Sequence, residues 1–205
     1  VKSFTYNSLP GKVIFGPGTS RSRLVEEMDR MGVSRILLIA TEREKSLVEA
    51  LCKPLGERVA GMFTAVKQHV PVEIAEEARA LALKLKADCL LSIGGGTTIG
   101  VAKAIALTMP LPIVAIPTTY SGSEMTQIWG LTTGNRKTTG ISRDVLPKVV
   151  IYDPELTFSL PSFITGPSAI NAMAHSVEAL YVPGANPVTS LMAEEGIRAL
   201  AHGLP

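Results

Sequence analysis

The sequence contains few of the residues that mark several common classes of protein. Only two of its 205 residues are cysteines, Cys52 and Cys89, and their spacing does not fit a metal site. Both lie in apolar or mixed segments, so we expect two buried thiols and no disulfide. Free thiols are usual in a reducing cytoplasm, and the sequence therefore predicts a cytoplasmic protein.

Long apolar runs and clustered charges are also missing. No run of about 18 uncharged apolar residues occurs, so we expect no segment that spans a membrane. The first residues, VKSFTYNSLPGK, lack the apolar core of a secretory signal. The formal net charge is +2 and no dense group of Lys and Arg stands out, so nucleic acid is not an expected partner.

What is present is an alternation of strand and helix patterns. Apolar runs such as RILLIAT and DCLLSI are typical of strands covered on both faces. The segments between them have helical spacing, and Ser20 and Gly32 are the expected N-cap and end of the first helix. This order predicts an α/β fold with a parallel sheet and right-handed crossovers. The predicted strands are 12–18, 35–41, 58–66, 88–93, 112–117 and 149–154, and the predicted helices are 20–32, 44–56, 72–87 and 97–109.

The pattern changes twice in the second half of the chain. After Pro117 a polar segment rich in Gly and Thr predicts an irregular excursion with short strands. From Leu160 onward only helical spacing remains, over 166–182 and 187–202. We therefore expect an α/β domain over residues 1–160 and the beginning of a helical domain over 161–205. Two helices bury little core alone, so either they pack on the sheet domain or more chain follows them.

Three glycines lie directly between a predicted strand and a predicted helix, in SIGGGTTIGVAKAIA. Backbone without Cβ atoms can approach a pyrophosphate closely, and the helix N-terminus adds a positive dipole end. Thr97 and Thr98 could cap the helix and donate to phosphate. The spacing of Gly94, Gly96 and Gly100 is one residue longer than the usual dinucleotide fingerprint. A tight strand-to-helix turn without a ligand is the alternative.

A second polar loop, IPTTYSGSE, follows the next strand. It carries four hydroxyl side chains at the point where ligands of open parallel sheets bind: Thr118, Thr119, Ser121 and Ser123. The second strand ends in IATEREK, where Glu42 could accept hydrogen bonds from an adenosine ribose. Arg43 and Lys45 would instead favour a 2′-phosphate, and a solvated helix start is the alternative without a ligand.

The order of these motifs resembles the iron-containing alcohol dehydrogenase superfamily. SIGGGTTIGVAKAIA, IPTTYSGSE, YDPELTFSLP and a helix with a His four residues after an acid or amide follow one another as in that family, over essentially the whole chain. Within it, FTYNSLPGKVIFGPGT, PTTYSGSEMTQIWG and SAINAMAHSVEALY are most similar to the maleylacetate reductases. The resemblance implies a nucleotide-binding α/β domain, an all-helical C-terminal domain, an active-site cleft between them and a homodimer. Since family members have a longer helical domain, it also implies that this chain is a truncated form.

The resemblance also implies roles for individual residues, with NADH or NADPH as the cofactor. Gly95, Gly96, Thr97 and Thr98 would hold the pyrophosphate. Thr118 and Thr119 would line the adenosine side, and Lys137 would approach a ribose. The loop with Ser121 and Ser123 is one residue shorter than in alcohol dehydrogenases.

Asn171 and His175 are the expected catalytic residues. Metal-dependent members have Asp-x-x-x-His here, and both side chains bind the ion; a neutral amide is a weaker ligand, so no metal is expected. The resemblance implies NAD(P)H-dependent reduction of a small dicarboxylate, maleylacetate, to 3-oxoadipate in aromatic degradation. His175 would donate to the developing oxyanion or to a substrate carboxylate, and Asn171 would orient substrate or water; a packed or capping histidine is the alternative. A metal-dependent alcohol or glycerol dehydrogenase, and a nucleotide-binding domain without full activity, are the alternative functions.

Overall fold

The computed structural model describes residues 3–9 and 11–204, which form two compact units. One unit is Gly11–Phe158. The other contains residues 159–204 together with residues 3–9, which the sequence predicts as part of the α/β domain.

The Gly11–Phe158 unit is an α/β structure. Its strands are β1 (Lys12–Phe15), β2 (Ile36–Ile39), β3 (Val59–Phe63), β4 (Cys89–Gly94), β5 (Ile113–Pro117), β6 (Ile128–Thr133), β7 (Arg136–Ile141) and β8 (Val149–Tyr152). Its helices are α1 (Thr19–Ser22), α2 (Leu24–Met31), α3 (Lys45–Cys52), α4 (Val72–Leu85) and α5 (Gly96–Ala106). Six strands form a sheet in the order β1-β8-β5-β4-β2-β3, in which all pairs are parallel. The predicted α/β class with a parallel sheet is confirmed.

Helices cover both faces of this sheet, which explains its apolar strands. Successive residues of β2 point to opposite faces, and all four are buried. Ile36 and Leu38 belong to a core cluster with residues of α2 and α3, whereas Leu37 and Ile39 belong to a second cluster with residues of α4 and α5. A strand buried on both faces reads as a continuous apolar run, as RILLIAT does.

The first predicted helix was wrong in its beginning. Ser20 is not an N-cap: it is the second residue of α1, and Arg23 separates α1 from α2. The Ser20 side chain is buried, and both its amide and its hydroxyl donate to Oδ2 of Asp153, at 3.1 and 2.5 Å. A distant carboxylate thus uses the hydroxyl that local pattern assigned to a cap.

The polar segment after Pro117 contains an antiparallel hairpin of β6 and β7. Its register pairs Thr132 with Lys137. The two cysteines, Cys52 and Cys89, are free and buried, as predicted.

The second unit contains two helices, α6 (Ser162–Ala179) and α7 (Pro187–Gly203), which pack against each other. Helix α6 begins four residues before the predicted start and includes Pro167. The side chain of Asn186 caps α7 by accepting from the amides of Val188 and Thr189. Over the described part of the chain, none of the helices is both long and apolar enough to cross a membrane.

Candidate functional site: the carboxyl ends of β2, β4 and β5

The glycine loop joins the end of β4 to the start of α5. Gly94 has φ +148, a conformation that side chains rarely adopt. A Cβ on Gly94 would lie 2.6 Å from Oγ1 of Thr98, and one on Gly95 would lie 3.1 Å from Oγ1 of Thr119. One on Gly96 would lie 3.1 Å from Cβ of Ser121. The three glycines therefore leave room only for backbone.

The N-terminus of α5 offers free amides. Its N-cap is Gly95, and no side chain caps the helix. The amides of Gly96, Thr97 and Thr98 are in the first turn, where an α-helix gives them no carbonyl partner. These amides and the positive end of the helix dipole favour an anion.

Thr97 and Thr98 do not cap this helix, which corrects one of the two roles considered for them. Both lie inside its first turn. The Thr98 side chain is 1% exposed, and its Oγ1 has no hydrogen-bond partner among the described residues. An unpaired buried hydroxyl is uncommon. A ligand with acceptor oxygens at this turn would give the Thr98 hydroxyl the hydrogen-bond partner that it lacks.

The second polar loop lies beside the first because the strands are in register. Gly94 of β4 pairs with Pro117 of β5, so both loops leave the sheet at the same level. The amide of Thr118 donates to the carbonyl of Gly94 at 3.1 Å. Thr119 and Ser121 then lie against Gly95 and Gly96, respectively. The structure thus brings together six of the predicted binding residues: Gly95, Gly96, Thr98, Thr118, Thr119 and Ser121.

Glu44 links these loops to the end of β2, a role that was not predicted from the sequence. Its Oε1 accepts from Oγ1 of Thr118 at 2.9 Å. Its Oε2 accepts from the amide and the hydroxyl of Thr41, at 3.3 and 2.7 Å. A Cβ on Gly94 would lie 2.8 Å from the same Oε2. The signal for Glu44 was the spacing Thr41-x-x-Glu44, which is that of a capping box.

Glu42 lies on the same turn but is exposed. A hydrogen bond from Thr64 and the charge of Lys45 lower its pKa, and Nζ of Lys45 lies 3.6 Å from Oε1. Arg43 is exposed as well. The carboxylate in contact with the two loops is therefore that of Glu44, while the ribose role of Glu42 stays a prediction.

Two other predicted residues lie further along the chain of this unit. Ser123 begins a 3-10 turn (Ser123–Met125), and its amide donates to Oγ of Ser121 at 3.3 Å. Lys137 is exposed on β7, and its Cε lies 3.1 Å from the position of a Cβ on Gly130. Its stem thus lies over the neighbouring strand of the hairpin.

Asn171 and His175 lie in the other unit, one turn apart on α6, and both are exposed. Nδ1 of His175 lies 3.7 Å from Oε2 of Glu178. Among residues 3–9 and 11–204, no group of three or more His, Cys, Asp and Glu side chains is placed to hold a metal ion together.

The edge of the sheet has the features of a diphosphate site. Chain connections leave β2 toward β3 on one side and β4 toward β5 on the other, so the edge between them is a topological switch point. Ligands of open parallel sheets bind at such points, beyond the carboxyl ends of the strands. Free amides, a buried unpaired hydroxyl and a cradle of glycines all fit the pyrophosphate of a dinucleotide.

Comparisons with known proteins agree with this geometry. The model of the iron-containing alcohol dehydrogenase family matches residues 10–154. The chain is 49% identical over 202 residues to the maleylacetate reductase of Sphingobium indicum, covering 98% of this chain and 57% of the relative.

Solved structures share the fold closely. An iron-containing alcohol dehydrogenase from Corynebacterium glutamicum is 49% identical with a TM-score of 0.96. A maleylacetate reductase from Agrobacterium tumefaciens is 44% identical with a TM-score of 0.97. Each match covers 100% of this chain, which spans 57% and 58% of these two proteins, respectively.

Proposed function

The chain belongs to the iron-containing alcohol dehydrogenase family, and on this basis we propose that it acts in the NADH- or NADPH-dependent reduction of maleylacetate to 3-oxoadipate, in the breakdown of aromatic compounds. The observation that carries the proposal is the glycine cradle against the threonine loop, in a chain 49% identical to a maleylacetate reductase. The reduction needs no metal in this proposal.

The dinucleotide is held by the two loops at the sheet edge. The amides of Gly95, Gly96, Thr97 and Thr98, with the Thr98 hydroxyl, hold the pyrophosphate. Thr118 and Thr119 line the adenosine side, where Glu44 fixes the Thr118 hydroxyl at 2.9 Å. The remaining contacts are assigned to exposed or half-buried polar side chains: Glu42, Ser121, Ser123 and Lys137.

The chemistry of the substrate explains why an amide can replace a metal-binding carboxylate. Maleylacetate has an alkene conjugated to a ketone, and the bound reduced nicotinamide supplies a hydride to the alkene carbon β to that ketone. Negative charge then develops on the ketone oxygen as an enolate, which later takes a proton at the α carbon. Hydrogen-bond donors stabilise such an oxyanion. A simple ketone forms an alkoxide, which benefits more from a Lewis acid.

His175 is the donor to this oxyanion or to a substrate carboxylate in the proposal. In this role the N–H at Nε2 donates to the substrate, while Nδ1 lies 3.7 Å from Oε2 of Glu178. Asn171, one turn earlier on α6, orients the substrate or a water molecule with its amide.

The test is oxidation of NADH and of NADPH by the purified protein with maleylacetate, with and without a chelator. Turnover that persists with the chelator supports the proposal. Turnover lost to the chelator and restored by iron would instead favour a metal-dependent alcohol or glycerol dehydrogenase. Cofactor binding without turnover would leave a nucleotide-binding function alone.

The two exposed histidines of the second unit, His175 and His202, provide a test variant and its control. His175→Ala removes the proposed donor, so we expect kcat/KM to fall by about a hundredfold or more. His202→Ala, on α7, is the matched control and should retain full activity. Unchanged kcat/KM in His175→Ala would remove this residue from the mechanism.

A further inference from the structure

A lysine lies fully buried in the last turn of α5, outside the groups that the proposed function uses. Lys103 is 1% exposed. Its Nζ donates to the carbonyl of Thr126 at 2.7 Å, to Oγ1 of Thr126 at 3.0 Å and to the carbonyl of Ile128 at 2.8 Å. An ammonium has three protons, and these three oxygens match them. The Thr126 hydroxyl donates its own proton to the carbonyl of Ser123, at 3.1 Å, so toward the lysine it can only act as an acceptor.

The position of Lys103 on the helix explains what it holds. Gly96, Gly100 and Lys103 are four and three residues apart, so they lie along one face of α5. Ser121 lies against Gly96 at the N-terminal end of that face, and Lys103 holds Thr126 and Ile128 toward the other end. The segment 118–128 thus packs against α5 at Ser121, beside the phosphate-binding turn, and is hydrogen-bonded to α5 at Thr126 and Ile128.

A second buried pair, Glu124 and Tyr152, attaches the middle of the same segment to β8. Glu124 is 3% exposed, and its Oε1 accepts from the hydroxyl of Tyr152 at 2.7 Å. Its Oε2 has no hydrogen-bond partner in the described part of the chain. Its negative charge favours the protonated form of Lys103, whereas burial, the larger effect, lowers the pKa of Lys103 to about 8.

The other charged side chains on elements packed against α5 either bond elsewhere or are exposed. Arg79 of α4 donates both Nε and Nη2 to the carbonyl of Ala104, the residue after Lys103. Arg143 and Asp144 begin the 3-10 turn that contacts α5, and both side chains are exposed. Tyr152 reaches the pair through Glu124, and burial with the Glu124 charge raises its pKa. Glu124 is therefore the group whose charge favours the protonated form of Lys103.

We infer that Lys103 is a positioning residue of the dinucleotide site, whose ammonium ties the segment 118–128 to α5 so that Thr118, Thr119 and Ser121 stay opposite the glycine loop. The inference rests on the proposed function in that the ligand is a dinucleotide. Without this tie, binding must also order the segment, which lowers affinity although no contact to the ligand is lost. A neutral amine has only two protons for three acceptors, so the tie weakens as the lysine deprotonates.

The experiment measures the Kd for NADH of the whole protein between pH 7 and about 9.5, together with amide hydrogen exchange of residues 118–128. Lys103→Met keeps the length of the side chain and removes the donors. Thr126→Val is the milder variant, since it removes one acceptor and keeps the shape. Lys84→Met, an exposed lysine on α4, is the matched control.

We expect Lys103→Met to weaken NADH binding about tenfold near pH 7 and to speed exchange in 118–128. Thr126→Val should weaken binding by about threefold, and Lys84→Met should match the unaltered protein. The affinity of the unaltered protein should fall as pH rises through about 8, the pKa of Lys103, and this fall should be absent in Lys103→Met. A residue that only supports the fold would not give a pH dependence that its own replacement removes.

Two results would overturn the inference. One is a folded Lys103→Met protein with unaltered NADH affinity, pH profile and exchange. If that variant does not fold, unaltered affinity and exchange in Thr126→Val would have the same effect. Failure of the unaltered protein to bind NADH and NADPH is a different result, because it refutes the proposed function. In that case hydrogen exchange of residues 118–128 in Lys103→Met alone decides whether Lys103 holds this segment.

Discussion

The hydroxyl of Thr118 donates a 2.9 Å hydrogen bond to Oε1 of Glu44, which joins the end of β5 to the turn after β2. The other oxygen of Glu44 accepts from the amide and the hydroxyl of Thr41. One carboxylate therefore fixes two of the strand ends that border the glycine loop.

Replacing Glu44 by glutamine should destabilise the protein, because an NH2 group then faces hydroxyl or amide donors in place of an acceptor. We expect a loss of about 1–2 kcal/mol in the free energy of unfolding, measured by urea denaturation. Glu49→Gln, an exposed change on α3, should stay within about 0.5 kcal/mol of the unaltered protein. Equal losses in the two variants would contradict the bridging role of Glu44.

Adding a methyl group to the glycine loop should impair dinucleotide binding. In Gly95→Ala the new Cβ would meet Oγ1 of Thr119 at 3.1 Å, so the two loops that we assign to the dinucleotide must move apart. We expect NADH affinity to fall about tenfold or more, measured by titration. Gly184→Ala is the control, because nothing lies within 4 Å of its added Cβ. Retained affinity in Gly95→Ala would place the dinucleotide elsewhere.

The two buried cysteines should be unreactive in the folded protein. Burial raises the pKa of both the Cys52 and the Cys89 thiols to about 12, so almost no thiolate exists near pH 8. A thiol reagent should label neither residue until denaturant is added, and then both. Folding raises the pKa of each thiol from 9.0 to about 12, so the folded protein favours the protonated thiols. The stability gained from these protonated thiols is therefore complete below pH 9 and is lost as pH rises toward 12. Rapid labelling of the native protein would show that these side chains are accessible.

Asp153 should make folding sensitive to acid. Burial opposes its ionisation, but hydrogen bonds from the hydroxyl and amide of Ser20 and from the amides of Gly18 and Glu155 outweigh it and hold the pKa of Asp153 low. With a lowered folded pKa, its stabilisation is present above the ordinary carboxyl pKa of about 3.9 and is lost as pH falls through the folded value.

The matching variant is Asp153→Asn. Near pH 7 it should lower the free energy of unfolding by about 2–3 kcal/mol, because charge-assisted bonds are replaced by weaker ones. Asp29→Asn removes a carboxylate with a 62% exposed side chain and should cost at most about 1 kcal/mol. Denaturant curves at neutral and acidic pH measure the free energy of unfolding of both variants. The difference in this free energy between the two variants should become smaller in acid.

The α/β class, the order of elements and the glycine loop were all predictable from local pattern. Strands such as β2 and β4 are buried on both faces, so they appear as apolar runs whatever their neighbours are. The three glycines of the loop lie between a strand and a helix that are adjacent in the chain. Features of this kind depend on a few consecutive residues, and periodicity and turn chemistry identify them.

The partners of single polar side chains were not predictable, because they depend on strand order and register. Glu44 and Thr118 are 74 residues apart, and Ser20 and Asp153 are 133 apart. They meet only because parallel crossovers bring the carboxyl ends of β1, β2, β5 and β8 to the same side of the sheet. Lys103 shows the same limit: a lone charge in an apolar helix is visible in the sequence, but its three acceptors come from a folded segment more than 20 residues away.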